Sequence, residues 1–333
     1  MEKKTIGILL GDAAGIGPEQ VVKILSKRYV QERCNAILLG DERVFCQAME
    51  LVGVKIPYRR ITSAEEISFA DTELCLYDMQ DIDPAEIKMG QVDARCGMSC
   101  IRQIDLAIQL WKDGVIGGAI FAAMNKAAEK AAIGEQYASE FTYFAEQLGY
   151  TGYASEVNHM DHICTIRIVS HVPMKKLCET LTQDKVEAAI RLLYSTIRKL
   201  GNPQPRVGVA ALNPHGGDAG TCGREEIDIL QPAIQAMNQA GYPTTGPYPA
   251  DTIFDRAFRK NEFDGIVTMY HDQGQIALKL KGFERGVSIL AGLPMPVVTP
   301  AHGTAFDIAG KGVASIEAFE HTVDDMLALL QNW

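Results

Sequence analysis

The feature that most restricts the fold is a repeated alternation of short apolar runs with longer amphipathic segments. The apolar runs are rich in β-branched residues, four to eight residues long, and typical of buried strands. They cover residues 5–10, 35–40, 118–123, 163–169, 207–212, 263–268 and 296–299. Segments with helical periodicity separate most of them, notably 96–112, 141–148 and 185–200. Strands alternating with helices predict an α/β protein with a largely parallel sheet. The segment 57–84 is less regular, and we expect it to leave the sheet.

Composition narrows the functional classes. A chain of 333 residues with 47% hydrophobic and 22% charged residues has the balance of a globular protein large enough for two lobes. The net charge of −10 argues against nucleic-acid partners and anionic membrane surfaces. The first apolar run is too short for a signal sequence, and none approaches a membrane span. The eight cysteines are scattered without the paired spacing of a zinc site. We therefore expect a cytoplasmic protein with reduced thiols.

Two polar turns follow strands in the first third of the chain. Gly11, Gly15 and Gly17 precede a helix, an arrangement that can present backbone N–H groups to an anion. Their G-x-x-x-G-x-G spacing differs from the dinucleotide fingerprint G-x-G-x-x-G, so tight packing is an equally good interpretation. Asn125 and Lys126 follow another strand. They are compatible either with a carboxylate or phosphate site or with a helix cap beside a solvated lysine.

Histidines follow three of the predicted strands. His171, His215 and His271 each stand just beyond a strand end, the last in the segment Tyr270-His271-Asp272-Gln273-Gly274. If the strands are neighbours in a parallel sheet, the imidazoles converge, and three neutral imidazoles suit zinc, cobalt or nickel. An open coordination position would let the metal polarise a hydroxyl or carbonyl group. A single histidine of this kind is usually structural, and the 270–274 cluster alone could be a hydrogen-bonded turn or an interface. The recurrence favours a metal site.

Several of these stretches together resemble the 4-hydroxythreonine-4-phosphate dehydrogenase family of vitamin B6 (pyridoxine) synthesis. They occur in family order over essentially the whole chain, in the ranges 11–19, 213–215, 223–226, 249–252, 270–274 and 302–305. The resemblance implies a two-lobed fold similar to that of isocitrate and isopropylmalate dehydrogenases. Approximate boundaries place residues 1–135 and 300–333 in one lobe and 136–299, with the dimer interface, in the other.

The same resemblance implies an activity and its residues. The reaction is oxidation of a hydroxy acid with NAD or NADP and decarboxylation of the β-keto acid, in a homodimer with shared active sites. One divalent metal (Zn, Co, Mg, Mn or Ni) is held by His171, His215 and His271, the last from the partner subunit. The catalytic candidates are Asp251, Asp272 and Lys279. The cofactor-binding candidates are Asn213, Gly223, Arg224, His302, Gly303 and Thr304.

The sequence departs from the family where the substrate is bound. Glu140 and Phe141 stand where the family has a substrate-contacting histidine and threonine, and Ser288 and Val297 replace its asparagine and arginine. Lys279 is retained. A carboxylate and an apolar ring cannot replace hydrogen-bond donors to a phosphate, and valine cannot replace a bidentate arginine.

These departures leave the substrate open. The leading interpretation is a metal-dependent, NAD-linked oxidative decarboxylase of this family, which we expect to handle 4-phosphohydroxythreonine poorly. The alternatives are a member acting on an unphosphorylated compound, such as an aromatic cis-dihydrodiol carboxylate of the terephthalate dihydrodiol type, and one acting on four-carbon phosphosugar acids. A catalytically silent ligand-binding homologue is a further alternative, which the retained histidines and Lys279 disfavour.

Overall fold

A computed structural model describes residues 3–70, 74–170 and 172–333. The chain divides into two compact units, residues 1–151 with 293–330 and residues 152–292 with 331–333. The first unit therefore extends beyond the expected boundary at residue 135. The helix at residues 140–147 belongs to the first unit, because its Phe144 stacks on Phe121 with ring centroids 6.0 Å apart.

The strands of the first unit run parallel in the order β3-β4-β2-β1-β5-β12. Apolar side chains with no exposed surface, among them Ile8, Leu38 and Ile120, fill the central strands. The bounds are β1 (Thr5–Leu9), β2 (Asn35–Gly40), β3 (Arg59–Ile61), β4 (Leu74–Asp78), β5 (Gly118–Phe121) and β12 (Val297–Pro300).

The helices of this unit are α1 (Gly17–Ser26), α2 (Glu42–Val52), α3 (Ala94–Lys112), α4 (Lys126–Ile133), α5 (Glu140–Gln147) and α11 (Glu317–Asn332). The unit includes α11 only as far as residue 330. Asp41, Asp93, Asn125 and Ser139 cap four of them by accepting backbone N–H groups. The expectation that residues 57–84 leave the sheet is wrong. β3 and β4 lie within it, because Arg60 on β3 pairs with Asp78 on β4 and makes a polar strand stable at the sheet edge.

The second unit has the strand order β11-β6-β7-β10-β8-β9. β7, β10, β8 and β9 are parallel, whereas β6 is antiparallel to both of its neighbours. The bounds are β6 (Ser155–Met160), β7 (Ile163–Val169), β8 (Val207–Ala210), β9 (Thr244–Tyr248), β10 (Gly265–Tyr270) and β11 (Val287–Ala291).

The helices of the second unit are α6 (Leu177–Thr180), α7 (Gln183–Lys199), α8 (Gln231–Gln239), α9 (Ala250–Lys260) and α10 (His271–Gly282). One turn of π-helix, Glu226–Leu230, leads directly into α8. Part of its core is the buried cluster of Ile163, Phe254, Phe263 and Ile266. The two units together confirm the predicted α/β fold with a mostly parallel sheet. In the described part of the chain, every helix is too short or too polar to cross a membrane.

Candidate active site

The strands that precede the three histidines are neighbours. β10 lies between β7 and β8 and is parallel to both, with Tyr270 opposite Val169 and Val267 opposite Val209. The chain therefore leaves all three strands at the same edge of the sheet, where ligands bind in α/β proteins. His171 itself lies outside the described residues. A cavity of about 270 Å³ opens at this edge, lined by Val169, Val172, Met174, Leu177, Tyr270, His271 and Asp272.

His271 is the first residue of α10, and its neighbours fix its position. Its Nδ1 lies 2.7 Å from a carboxyl oxygen of Asp272. The side chain of Gln273 accepts a hydrogen bond from Met269 N at 2.8 Å and donates one to Ala211 O at 2.9 Å. Gln273 thus ties the start of α10 to the end of β8, the strand that leads to His215. The carboxylate at Nδ1 orients the ring so that Nε2 is the nitrogen presented to a ligand.

His215 lies in an unusual turn after β8. From His215 to Ala219 the backbone is left-handed, with φ values of 45–83°. Glu226, almost fully buried, holds the start of this turn: one carboxyl oxygen accepts the N–H groups of Leu212 and Asn213, both at 2.8 Å. This carboxylate keeps the turn in place and leaves the His215 side chain exposed.

The predicted cofactor-binding residues of the second unit lie in or beside this turn, and their side chains already contact other residues of it. The amide of Asn213 donates to Glu225 at 2.6 Å and to Glu226 at 2.9 Å. A side chain at Gly223 would meet the Asn213 amide nitrogen at 2.4 Å, so only glycine fits there. The exposed Arg224 pairs with Asp228 at 2.8 Å. Their predicted role toward a cofactor stays a prediction.

The catalytic candidates lie on two helices of the second unit. Asp251 is exposed in the first turn of α9, and Lys279 is exposed on α10, two turns after His271. Among the described residues, no three His, Cys, Asp or Glu side chains lie close enough together to hold a metal ion. Because His171 is not among them, this finding leaves the predicted triad untested.

A second polar edge forms in the first unit, where β1, β5 and β12 are parallel neighbours. The glycine turn after β1 contacts the segment after β12: Ile16 N donates to Thr304 O at 3.1 Å, and a side chain at Gly15 would meet Thr304 Cβ at 2.9 Å. Asn125, after β5, approaches the Thr304 hydroxyl at 3.4 Å. The glycine spacing therefore allows close packing against Thr304.

His302 is a neutral imidazole in a defined tautomer. The Gln20 amide donates to Ser315 O at 2.7 Å and reaches His302 Nε2 at 3.0 Å, so that Nε2 accepts. The proton therefore sits on Nδ1, which donates to Gly303 O at 3.0 Å. Burial lowers the pKa of His302, which keeps the ring neutral.

The substrate candidates divide between the two units. Glu140 and Phe141 begin α5, Val297 is fully buried in β12, and Ser288 lies in β11. The Ser288 hydroxyl accepts a hydrogen bond from Asn158 at 2.8 Å.

Sequence reasoning missed the network around Asn158. Its amide oxygen accepts from Arg167 at 3.0 Å and from Gln275 of α10 at 2.6 Å. Arg167 is nearly buried and also pairs with Glu156. The available signal was a lone arginine within an otherwise apolar strand, because a buried charge needs partners.

Comparison with known proteins agrees with these features. The family model described as pyridoxal phosphate biosynthetic protein PdxA matches residues 32–325. A relative from Pseudomonas aeruginosa, provisionally named 4-hydroxythreonine-4-phosphate dehydrogenase 2, is 42% identical over 94% of this chain and 93% of its own length. One from Symbiobacterium thermophilum, provisionally named D-threonate 4-phosphate dehydrogenase, is 36% identical over 96% and 94%.

The solved structure of 4-hydroxythreonine-4-phosphate dehydrogenase from Klebsiella pneumoniae superposes with a TM-score of 0.82 at 33% identity, covering 99% of this chain and 98% of that one. The resemblance inferred from the motifs is therefore confirmed. The chain belongs to the family of the pyridoxal phosphate biosynthetic protein PdxA.

Proposed function

We propose that this protein is a nicotinamide-dependent dehydrogenase that oxidises the CH–OH group of a hydroxy acid and releases CO2 from the resulting β-keto acid. Its relatives are named as dehydrogenases, which supports an oxidoreductase. The observation that carries the proposal for this chain is the adjacency of β7, β10 and β8, whose ends lead to the three histidines.

The residues at this edge fit a divalent metal. His215 is exposed, and the Asp272 carboxylate at Nδ1 of His271 is the partner that orients a metal-binding imidazole. The ion would be held by His171 and His215 of one subunit and by the partner subunit's His271. A bound ion would lower the pKa of the substrate hydroxyl and stabilise negative charge on the neighbouring oxygens.

The protein's own residues supply the remaining functions. Lys279 carries a positive charge two turns beyond His271 and would neutralise the substrate carboxylate before CO2 leaves. Asp251, exposed in the first turn of α9, would accept the proton of the substrate hydroxyl. Asp272 would hold the His271 ring in one orientation.

Nicotinamide binding is assigned to two groups of residues. In the first unit these are His302, Gly303 and Thr304, of which Thr304 lies against the glycine turn and His302 contacts Gln20. In the second unit, Asn213, Gly223 and Arg224 follow β8. A neutral His302 places no positive charge beside a cationic nicotinamide ring. The choice between NAD and NADP is left to experiment.

We further propose a homodimer in which His271 completes the site of the partner. The apolar side chains of Ile276 and Leu280 are 59% and 84% exposed on α10, the helix that His271 begins. Two large apolar residues four positions apart form a stripe on one helix face, which suits contact with a second copy.

The test is a turnover assay with purified protein, a divalent metal and either NAD or NADP. Reduced cofactor and CO2 should form in equal amounts from a hydroxy acid, and His215→Ala should abolish both. A hydroxy acid that binds in calorimetry but is never oxidised would instead support the silent homologue.

A mixing experiment tests the shared site. His171→Ala and His271→Ala subunits should each be inactive alone. After subunit exchange they should regain part of the activity, because one site of the hybrid dimer keeps all its ligands. Folded hybrids that stay inactive would place the site within one chain.

A further inference from the structure

A cavity in the first unit has no role in the proposed reaction. It has a volume of about 150 Å³ and is lined by residues of the glycine turn, α1 and α2, together with Met89 and Gly310. Most of its wall is apolar, formed by Ala13, Pro18, Val44, Ala48, Leu51 and Met89. Apolar walls with a few polar groups are typical of small-molecule sites.

One acidic side chain lines this cavity. Glu19, in the first turn of α1, is only 2% exposed. Its Oε1 accepts hydrogen bonds from the Lys23 ammonium group and from Ala314 N, both at 2.7 Å. Its Oε2 is buried and has no hydrogen-bond partner within the described part of the chain. A buried carboxylate oxygen without a donor costs free energy, so an occupant that supplies a donor would stabilise it.

The Glu19 carboxylate is held in place before any ligand arrives. Besides pairing with Glu19, Lys23 Nζ donates to Gly312 O at 2.9 Å and to Ala314 O at 2.8 Å. The ammonium group is therefore fixed by three acceptors, and it fixes one oxygen of the carboxylate in turn. An acceptor that is already ordered adds little entropic cost to binding.

The opposite wall is also fixed by the backbone. Gly90 N donates to Ala14 O at 2.8 Å, which holds the neighbouring Met89 against the glycine turn. Gly310 has a left-handed φ of 76°, and a side chain there would lie 3.5 Å from Met89 Cγ. The Met89 side chain thus lies directly beside the Gly310 backbone, and the two close one side of the cavity.

Charge and size define what the cavity can hold. Lys23 already balances the charge of Glu19, so a cationic ligand would add an unbalanced charge to a buried site, and an anion would be repelled by the carboxylate. The ligand should therefore be neutral and carry one O–H or N–H donor. An apolar cavity of this volume, about 150 Å³, is large enough for a benzene ring.

We propose that this cavity binds an uncharged single-ring aromatic compound whose hydroxyl or amino group donates a hydrogen bond to Glu19 Oε2. Phenol is the simplest compound of this class. The ring would contact the apolar wall, and the donor would satisfy the one buried oxygen that lines the cavity without a partner in the described residues. The inference does not depend on the proposed dehydrogenase activity.

Binding can be followed at Met89 by nuclear magnetic resonance. The full-length protein would carry 13C-methyl methionine, and the Met89 resonance would be assigned by its loss in Met89→Leu. Phenol should shift this resonance in a saturable way. Toluene has the same size but no donor, so it should bind at least about tenfold more weakly. Benzylammonium and benzoate, which are charged, should leave the resonance in place.

Two variants separate the hydrogen bond from the cavity. In Glu19→Gln the oxygen stays with Lys23 and Ala314 N, and an amide donor replaces Oε2. Phenol binding should weaken at least about tenfold, whereas toluene binding should not change. Ala48→Leu fills the cavity and should abolish the binding of both compounds. Glu50→Gln, at an exposed carboxylate on α2, is the matched control and should leave both affinities unchanged.

Three results would overturn the inference. Equal affinity for phenol and toluene would mean that no donor is recognised, and unchanged phenol binding in folded Ala48→Leu would place the ligand elsewhere. A Met89 resonance that moves with none of the compounds would mean that water alone satisfies Glu19. If Glu19→Gln does not fold, the phenol and toluene titrations of the parent and of Ala48→Leu still decide. The assay contains neither metal nor nicotinamide, so its outcome is separate from that of the turnover test.

Discussion

Replacing Glu129 by glutamine should stabilise the first unit at alkaline pH. In the folded protein, burial raises the pKa of Glu129 from 4.5 to about 9. An acid whose pKa is raised by folding contributes stability that is fully present below 4.5 and is lost as the pH rises through about 9. Glutamine has the same shape and does not titrate, so the variant escapes this loss.

The magnitude follows from the size of the pKa shift. Each pH unit within the window corresponds to about 1.4 kcal/mol, so that between about pH 5.5 and 8.5 the wild type should lose up to about 4 kcal/mol relative to the variant. Because the nearby Glu140 carboxyl group interacts with Glu129 and contributes to this shift, the observed value should lie below this limit.

Tryptophan fluorescence provides the assay. Trp111 lies on α3 in the first unit, whereas Trp333 belongs to the second unit and is 46% exposed. In a Trp333→Phe background, urea unfolding followed at Trp111 reports on the unit that contains Glu129. At about pH 5.5 and 8.5, the unfolding free energy of Glu129→Gln would be compared with that of the parent. Glu135→Gln, which removes a carboxylate that is 94% exposed, is the control. If the unfolding free energies of the parent and of Glu129→Gln differ by the same amount at the two pH values, Glu129 is not a buried, protonated group.

Three further perturbations give distinct outcomes. Gly97→Ala should destabilise the first unit by about 3 kcal/mol or more in urea unfolding, because its Cβ would meet the Ala128 carbonyl oxygen at 2.1 Å; an unchanged midpoint would contradict this. Leu280→Asp should convert the proposed dimer to monomer in light scattering, while Leu51→Asp, at a side chain 37% exposed in α2, should not. His215→Ala should lose the proposed divalent metal in elemental analysis and keep its circular dichroism spectrum. Full metal retention with full activity would exclude this ligand.

The parts of the fold that could be predicted from the sequence are those with a strong local pattern. Ile163–Val169 is an apolar run interrupted only by Thr165 and Arg167, and it forms β7 with the predicted bounds. β3 was missed because Arg59 and Arg60 interrupt any apolar pattern; it exists through pairing with β4 and the ion pair of Arg60 with Asp78. A strand that is stabilised mainly by pairing with its neighbour has no clear apolar pattern in its own sequence.

The same distinction applies to the candidate site. Histidines just after strands could be found by position along the chain, and the structure makes their strands neighbours. The link from Gln273 to Ala211, and the approach of Glu140 to Glu129, join residues that only the tertiary structure brings together. The periodicity of a single sequence does not show which buried carboxyl groups lie next to each other.

The discontinuous first unit has a consequence for the order of events during synthesis. Residues 152–292 are contiguous and can fold as soon as they leave the ribosome, whereas the first unit lacks β12 until the last part of the chain is made. Until then β5 has no partner on one side, and the glycine turn has no Thr304 to contact. The N-terminal half must therefore remain incomplete, with an open strand edge, while the second unit is translated. We expect chaperones that shield strand edges to act on this nascent chain at that stage, and the proposed cofactor binding to become possible only after residue 304 emerges.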